Sequence, residues 1–138
     1  MTDRTVPLAV VGAHLDGQPL NGELTSRGGT LLERTCTAAS YLLFALDTTP
    51  PKPGLVRVNP DDRDARAIEV EIWELAVDQF GDFVAQVPAP LGIGRVQLSD
   101  GTEVAGFICE TVALDGARDI TPFGGWRAYL DRPHPSCA

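Results

Sequence analysis

The stretch GRVQLSDGTEVAGFICE, residues 94–110, constrains the fold most. Alternating runs flank Asp100-Gly101, the pair that a tight β-hairpin turn requires. A lone hairpin is marginal in water, so other segments must complete a sheet. AIEVEIWEL, residues 67–75, alternates Ile68, Val70 and Ile72 with Glu69, Glu71 and Trp73, which predicts a strand with one buried face. TVPLAVVGA, residues 5–13, is mostly apolar until Gly12 and Ala13 and suits a strand buried on both faces. TLLERTCTA (30–38) and SYLLFALD (40–47) are β-prone, and their short Ala-Ala-Ser connection predicts a hairpin. TTPPKPG (48–54) reads as a stiff loop, because three prolines remove backbone donors and fix φ. LVRV then resumes as a strand, and NPDDRDAR is a solvated acidic turn.

Helical signals are fewer. LNGELTSRG holds a short helix closed by Gly28 and Gly29. VDQFGDFVAQV places Val77, Phe80, Phe83, Val84 and Val87 at helical spacing, predicting an amphipathic helix over a sheet. TPFGGWRAYL offers Thr121 as N-cap, Pro122 at the first helical position and an aromatic stripe. Together these predict one small α+β domain over residues 1–138: a twisted, mixed but mostly antiparallel sheet or partly closed β-barrel with two or three short helices. Residues 132–138 are expected to form a flexible tail.

Charge and cysteine usage narrow the function classes. The 138 residues carry a net charge of -8 with dispersed acids, which disfavours nucleic acid and anionic membranes as partners. No apolar run approaches the ~20 residues that cross a bilayer, nor does the start resemble a signal peptide, so a soluble cytoplasmic protein is expected. Cys36, Cys109 and Cys137 are odd in number and far apart, without metal-site spacing, and read as reduced thiols.

The residues with chemical potential are few. His14 follows Gly12 at the end of the first strand, where loop amides can form an anion nest and an imidazole can exchange a proton near neutral pH. It equally suits a turn histidine bonded to a carbonyl. Asn21, before Gly22, is either a left-handed turn residue or a side chain that pins the loop. Glu71 is solvent-exposed on a plain reading; in a closed barrel it becomes a buried carboxylate beside Glu69 and Trp73. Arg127 either clamps a carboxylate or forms a surface ion pair. No phosphate-binding loop and no Ser/His/Asp set is present, since the other histidine, His134, lies in a proline-rich stretch.

Seven strings in series carry a resemblance: VVGAHLDGQPLNGEL, YLLFAL, PPKPGLVRV, AIEVEIWEL, VPAPLGIGRVQLSDG, GFICE and DITPFGGWRAYL. Across residues 6–131 the chain resembles the C-terminal domain of allophanate hydrolase, which implies a γ-glutamylcyclotransferase-like fold. Gly12 to Leu15 is similar to the Tyr-Gly-Ser/Thr-Leu loop of that wider fold, which binds ligand through backbone amides. IEVEIWEL is similar to its Val-x-Gly-Glu-Leu-Tyr-x-Val strand, placing Glu71 on the family glutamate. Cyclotransferases carry their general acid/base in a Leu-Asp-x-x-Glu string, whereas FGDFVAQVP here has Gln86 in that region. A glutamine cannot take a proton, so cyclotransferase activity is not expected unless Asp82 or Glu71 substitutes.

The resemblance implies decarboxylation of an N-carboxyurea-type product released by an amidase half that this chain lacks. In that reading His14 donates the proton, the amides of Gly12, Ala13 and Leu15 hold the carboxylate, and Asn21 and Glu71 bind the urea end. It implies no metal or organic cofactor, a small carboxylated ureide as ligand, and a separately encoded amidase or a second copy as partner. The other reading is a non-catalytic assembly or binding subunit of an amidase.

Overall fold

The computed structural model describes residues 4–131, so the expectations for the tail, His134 and Cys137 lie outside the described residues. Among the described residues eight strands form two sheets. In the larger, β1 (Thr5–Val10) is central, between β5 (Glu69–Ala76) and β7 (Glu103–Cys109). β2 (Thr30–Cys36) and β6 (Leu91–Gln97) are its edges. The β1–β7 pair is parallel and the other pairs are antiparallel, making the sheet mixed. The smaller sheet is β4 (Lys52–Arg57), β3 (Tyr41–Leu46) and β8 (Arg118–Asp119). Three short α-helices accompany them: α1 (Gly22–Thr25), α2 (Val77–Ala85) and α3 (Trp126–Asp131).

The barrel is open. The edges β2 and β6 meet at one end only, through the bridge between Thr37 and Leu98 just beyond them. This is the α+β arrangement expected, in its partly closed form. The β6–β7 hairpin also follows expectation: Gly101 N–H donates to Leu98 O, and Gly101 takes the left-handed φ of 90° that completes the turn.

Three local expectations fail for identifiable reasons. β2 and β3 are not a hairpin but lie in different sheets. Between them the fully buried Thr37 turns a corner: its hydroxyl accepts from Ile68 N–H at 3.0 Å and donates to Ala38 O at 2.8 Å, while Ala38 N–H donates to Gln97 O. Lys52 and Pro53 belong to β4 rather than to a loop. β4 is an edge strand, where a missing N–H costs no ladder bond. Thr121 does not cap a helix with its side chain; its hydroxyl accepts from Leu43 N–H at 2.8 Å and ties the 3-10 turn Thr121–Phe123 to β3.

β5 is buried on both faces, not one. Val70 and Ile72 join the main core with Leu8, Val10, Leu43 and Val96, whereas the opposite face holds Glu71 and Trp73, also buried. Each fully buried aliphatic or aromatic side chain contributes about 1.5–3 kcal/mol, so this core dominates the stability. The aromatic stripe of the last helix packs inward, with Trp126 buried and Tyr129 against it. Cys36 is disulfide-bonded, against the expectation of reduced thiols, since spacing along a chain does not report which segments meet. Cys109 is a free thiol, its pKa raised by burial. Among the described residues no helix is long and apolar enough to cross a membrane.

Candidate functional site

The loop that leaves β1 is folded on itself by backbone bonds. Leu15 N–H donates to Gly12 O at 3.0 Å, Leu20 N–H to Ala13 O at 2.8 Å, and the Asn21 amide to His14 O at 2.8 Å. Leu15, fully buried, anchors the loop in the core. Asn21 therefore pins the loop with its side chain, and its φ of −56° excludes the left-handed alternative. Gly12 is required because a Cβ there would collide with the ring of Pro53 in β4. A proline ring cannot swing aside, so Gly12→Ala should cost about 1–3 kcal/mol by overpacking, read from a denaturant unfolding midpoint.

This loop presents His14 at the wall of a cavity. His14 is buried, its ring stacked on Phe107 at 4.9 Å and met edge-on by Phe83 at 5.3 Å. Its Nε2 lies 2.8 Å from Glu23 Oε1, in α1. Burial lowers the His14 pKa below its ordinary value; Glu23 opposes the shift, and the positive charge of Lys52 adds to it. The cavity, of about 200 Å³, is bounded by His14, Leu20, Glu23, Lys52, Leu91 and Phe107, with Gln86, Val87 and Pro88 at the end of α2.

Lys52 decides the character of this cavity. It is 8% exposed, lines the cavity, and its side chain makes no hydrogen bond or ion pair with another described residue. Its stem is buried while its ammonium nitrogen stays accessible, so the side chain brings a positive charge to the cavity beside His14. Gly12 and Ala13 line a narrow recess beside Lys52 and Pro53. The amide of Leu15 is committed to Gly12 O, which removes it from the expected anion nest.

Glu71 stands elsewhere. Its carboxylate is fully buried and accepts four hydrogen bonds: Oε1 from Asp16 N–H at 2.8 Å and Trp73 Nε1 at 3.1 Å, Oε2 from Arg34 Nε at 3.1 Å and Arg127 Nη2 at 2.8 Å. Burial raises its pKa, but the Asp16 amide, the Trp73 indole and Arg127 together bring it below the ordinary value. Arg127 thus does clamp a carboxylate, one belonging to the protein. His14 is brought together with Glu23 and Lys52, not with Glu71, which is absent from the cavity wall.

The sequence reading passed over both residues. Lys52 was hidden by its flanking prolines, which mask a strand and so a fixed direction for the side chain. Glu23 is visible only as an acid in the first turn of a four-residue helix, nine positions after His14. Among the described residues no group of three His, Cys, Asp or Glu is placed to hold a metal ion.

Comparison with known proteins agrees with this geometry in extent and fold. The family model of the allophanate hydrolase C-terminal domain matches residues 6–131. The chain belongs to that family. The domain is 44% identical over 131 residues to urea amidolyase of Saccharomyces cerevisiae, covering 92% of this chain and 7% of that protein. It superposes on Kluyveromyces lactis allophanate hydrolase with a TM-score of 0.87 and 45% identity, covering 93% of this chain and 21% of the other. A uropathogenic E. coli-specific protein matches with a TM-score of 0.84 and 36% identity, over 97% of this chain and 100% of that one. This allophanate hydrolase C-terminal domain thus spans less than a tenth of the curated relative and about a fifth of the yeast hydrolase chain. A mouse AIG2-like protein, 18% identical with a TM-score of 0.56, shares the fold alone.

Proposed function

We propose that this domain binds a small carboxylated nitrogen compound of urea breakdown in the His14 cavity and promotes its loss of carbon dioxide. The observation that carries the reading is the Lys52 side chain, held in no ion pair with a described residue, lining the same cavity as the His14–Glu23 pair. Similarity to urea amidolyase and allophanate hydrolase supports the setting. Atom balance corrects the expected ligand: N-carboxyurea is allophanate itself. Replacing its terminal amide by water releases ammonia and leaves one nitrogen bearing two carboxylates, N-carboxycarbamate.

Decarboxylation breaks one nitrogen–carbon bond of that dianion. The electron pair stays on nitrogen and takes a proton, carbon dioxide leaves, and carbamate remains. Lys52 holds the retained carboxylate by a charge-assisted bond. His14, largely neutral in the empty cavity because burial lowers its pKa, gains proton affinity when a dianion enters. Glu23 on Nε2 then steadies the imidazolium, and His14 supplies the proton to nitrogen.

Malonate, with CH₂ in place of the nitrogen, is the stable probe. It should shift the His14 ring resonances saturably. Lys52→Met should weaken malonate at least tenfold, since a hydrogen bond to a charged group contributes about 1.5–3 kcal/mol. The same change should raise the His14 pKa, because the repelling ammonium is gone. Allophanate supplied with a separate amidase then tests turnover: faster release of carbon dioxide than without this domain, lost in His14→Ala, is expected. Malonate binding without any such acceleration would assign a binding subunit, and no saturable shift would overturn the site.

A further inference from the structure

The backbone of Asp16, two residues after His14, is gripped from both sides. Its N–H donates to Glu71 Oε1 at 2.8 Å, and its carbonyl accepts from Arg127 Nη2 at 2.7 Å. The same Arg127 nitrogen donates to Glu71 Oε2 at 2.8 Å, closing a ring of three bonds around the Asp16 backbone. Arg34 adds an outer brace, joining Asp16 Oδ2 at 3.0 Å to Glu71 Oε2 at 3.1 Å. By contrast, the His14 ring itself has one hydrogen bond, to Glu23, and otherwise two aromatic contacts along which a ring can slide or tilt.

We infer that Glu71 and Arg127 are positioning residues, which act outside the cavity to set where the His14 ring stands by fixing the Asp16 backbone. The inference rests on the proposed reading of the cavity as the ligand site. Mechanically, β5 and α3 supply a rigid carboxylate and guanidinium, and the loop 11–21 hangs from them by its backbone. A displacement of about 1 Å at a reacting group costs on the order of a hundredfold in rate, so control of the loop is control of the chemistry. The two N–H groups of Nη2 are fixed in the guanidinium plane, so one bond to the Asp16 carbonyl and one to Glu71 set the angle between them.

The test compares Arg127→Ala and Glu71→Gln with wild type in three readouts. These are the ring nitrogen shifts and titration of His14 by NMR without ligand, malonate affinity, and carbon dioxide release. Both variants should stay folded by circular dichroism while the His14 ring shifts move and its titration midpoint rises toward the ordinary value, as the ring loosens toward solvent. Malonate should weaken tenfold or more, with a fall in kcat beyond the change in KM. A folded Arg127→Ala variant with wild-type His14 shifts, titration and malonate affinity would overturn the inference and leave the ring of bonds as scaffold only. If Glu71→Gln does not fold, Arg127→Ala carries the comparison alone. Should wild type fail to bind malonate, the ligand reading falls, and the ligand-free His14 titration still decides the positioning role.

Discussion

Glu71→Ala should lower the unfolding free energy by about 3–5 kcal/mol, visible as a large drop in the denaturant midpoint with the slope unchanged. The carboxylate is fully buried and is the common acceptor for Asp16 N–H, the Trp73 indole, Arg34 and Arg127. Removing it strands these donors unequally. Arg34 is half-exposed and returns to water, and Arg127 keeps its bond to the Asp16 carbonyl, whereas the Asp16 amide and the buried indole keep their desolvation cost without an acceptor. Glu71→Gln keeps the volume and one acceptor and should lose less. The sign of the pH dependence follows from the lowered pKa. In acid the unfolded chain takes up the proton first, so Glu71 contributes its full stabilisation above the ordinary glutamate range. That contribution fades as pH falls through the lower folded value. A wild-type acid-unfolding curve that Glu71→Gln leaves unchanged would contradict this.

Phe83→Ala should cost a similar amount, about 3–5 kcal/mol, through a different mechanism. Phe83 is the one fully buried residue of α2. It meets His14 edge-on and Phe107 edge-on at 5.8 Å, with the Arg27 guanidinium 5.7 Å from its ring centre. Truncation leaves a void behind the imidazole and removes the cation's aromatic partner. Malonate affinity should fall together with stability, because the wall that orients His14 is gone. Phe83→Leu, which refills most of the space, should recover the greater part of both. Stability lost without any change in malonate binding would show that Phe107 and Glu23 suffice to orient the ring.

Elements governed by neighbours in sequence were legible. Asp100-Gly101 and its alternating flanks predicted the β6–β7 hairpin, and the spacing of Phe80, Phe83 and Val84 predicted α2. What failed depended on neighbours far along the chain. The Ala-Ala-Ser link is short enough for a hairpin, but Thr37 finds its partners at Ile68 and Ala38, so the chain crosses between sheets. Period two in AIEVEIWEL reported alternation correctly but not what covers the second face, which is the Asp16 loop and Arg127. His14 was singled out by its place after a strand-ending glycine. The residues around it were not, because Glu23 and Lys52 reach the same cavity from a four-residue helix and from a proline-flanked strand.

The contact between Gly12 and Pro53 has a thermodynamic meaning. His14 hangs from the larger sheet and Lys52 rises from the smaller, so the cavity is a gap between two separately paired bodies of the fold. An anion held by both residues acts as a removable rivet across that gap. Occupancy and sheet-to-sheet adhesion are then one linked equilibrium: each decade of ligand concentration above the dissociation constant adds about 1.4 kcal/mol to the folded state. Resistance to heat or protease in crude extract therefore becomes a direct test of whether a small anion binds in the His14 cavity.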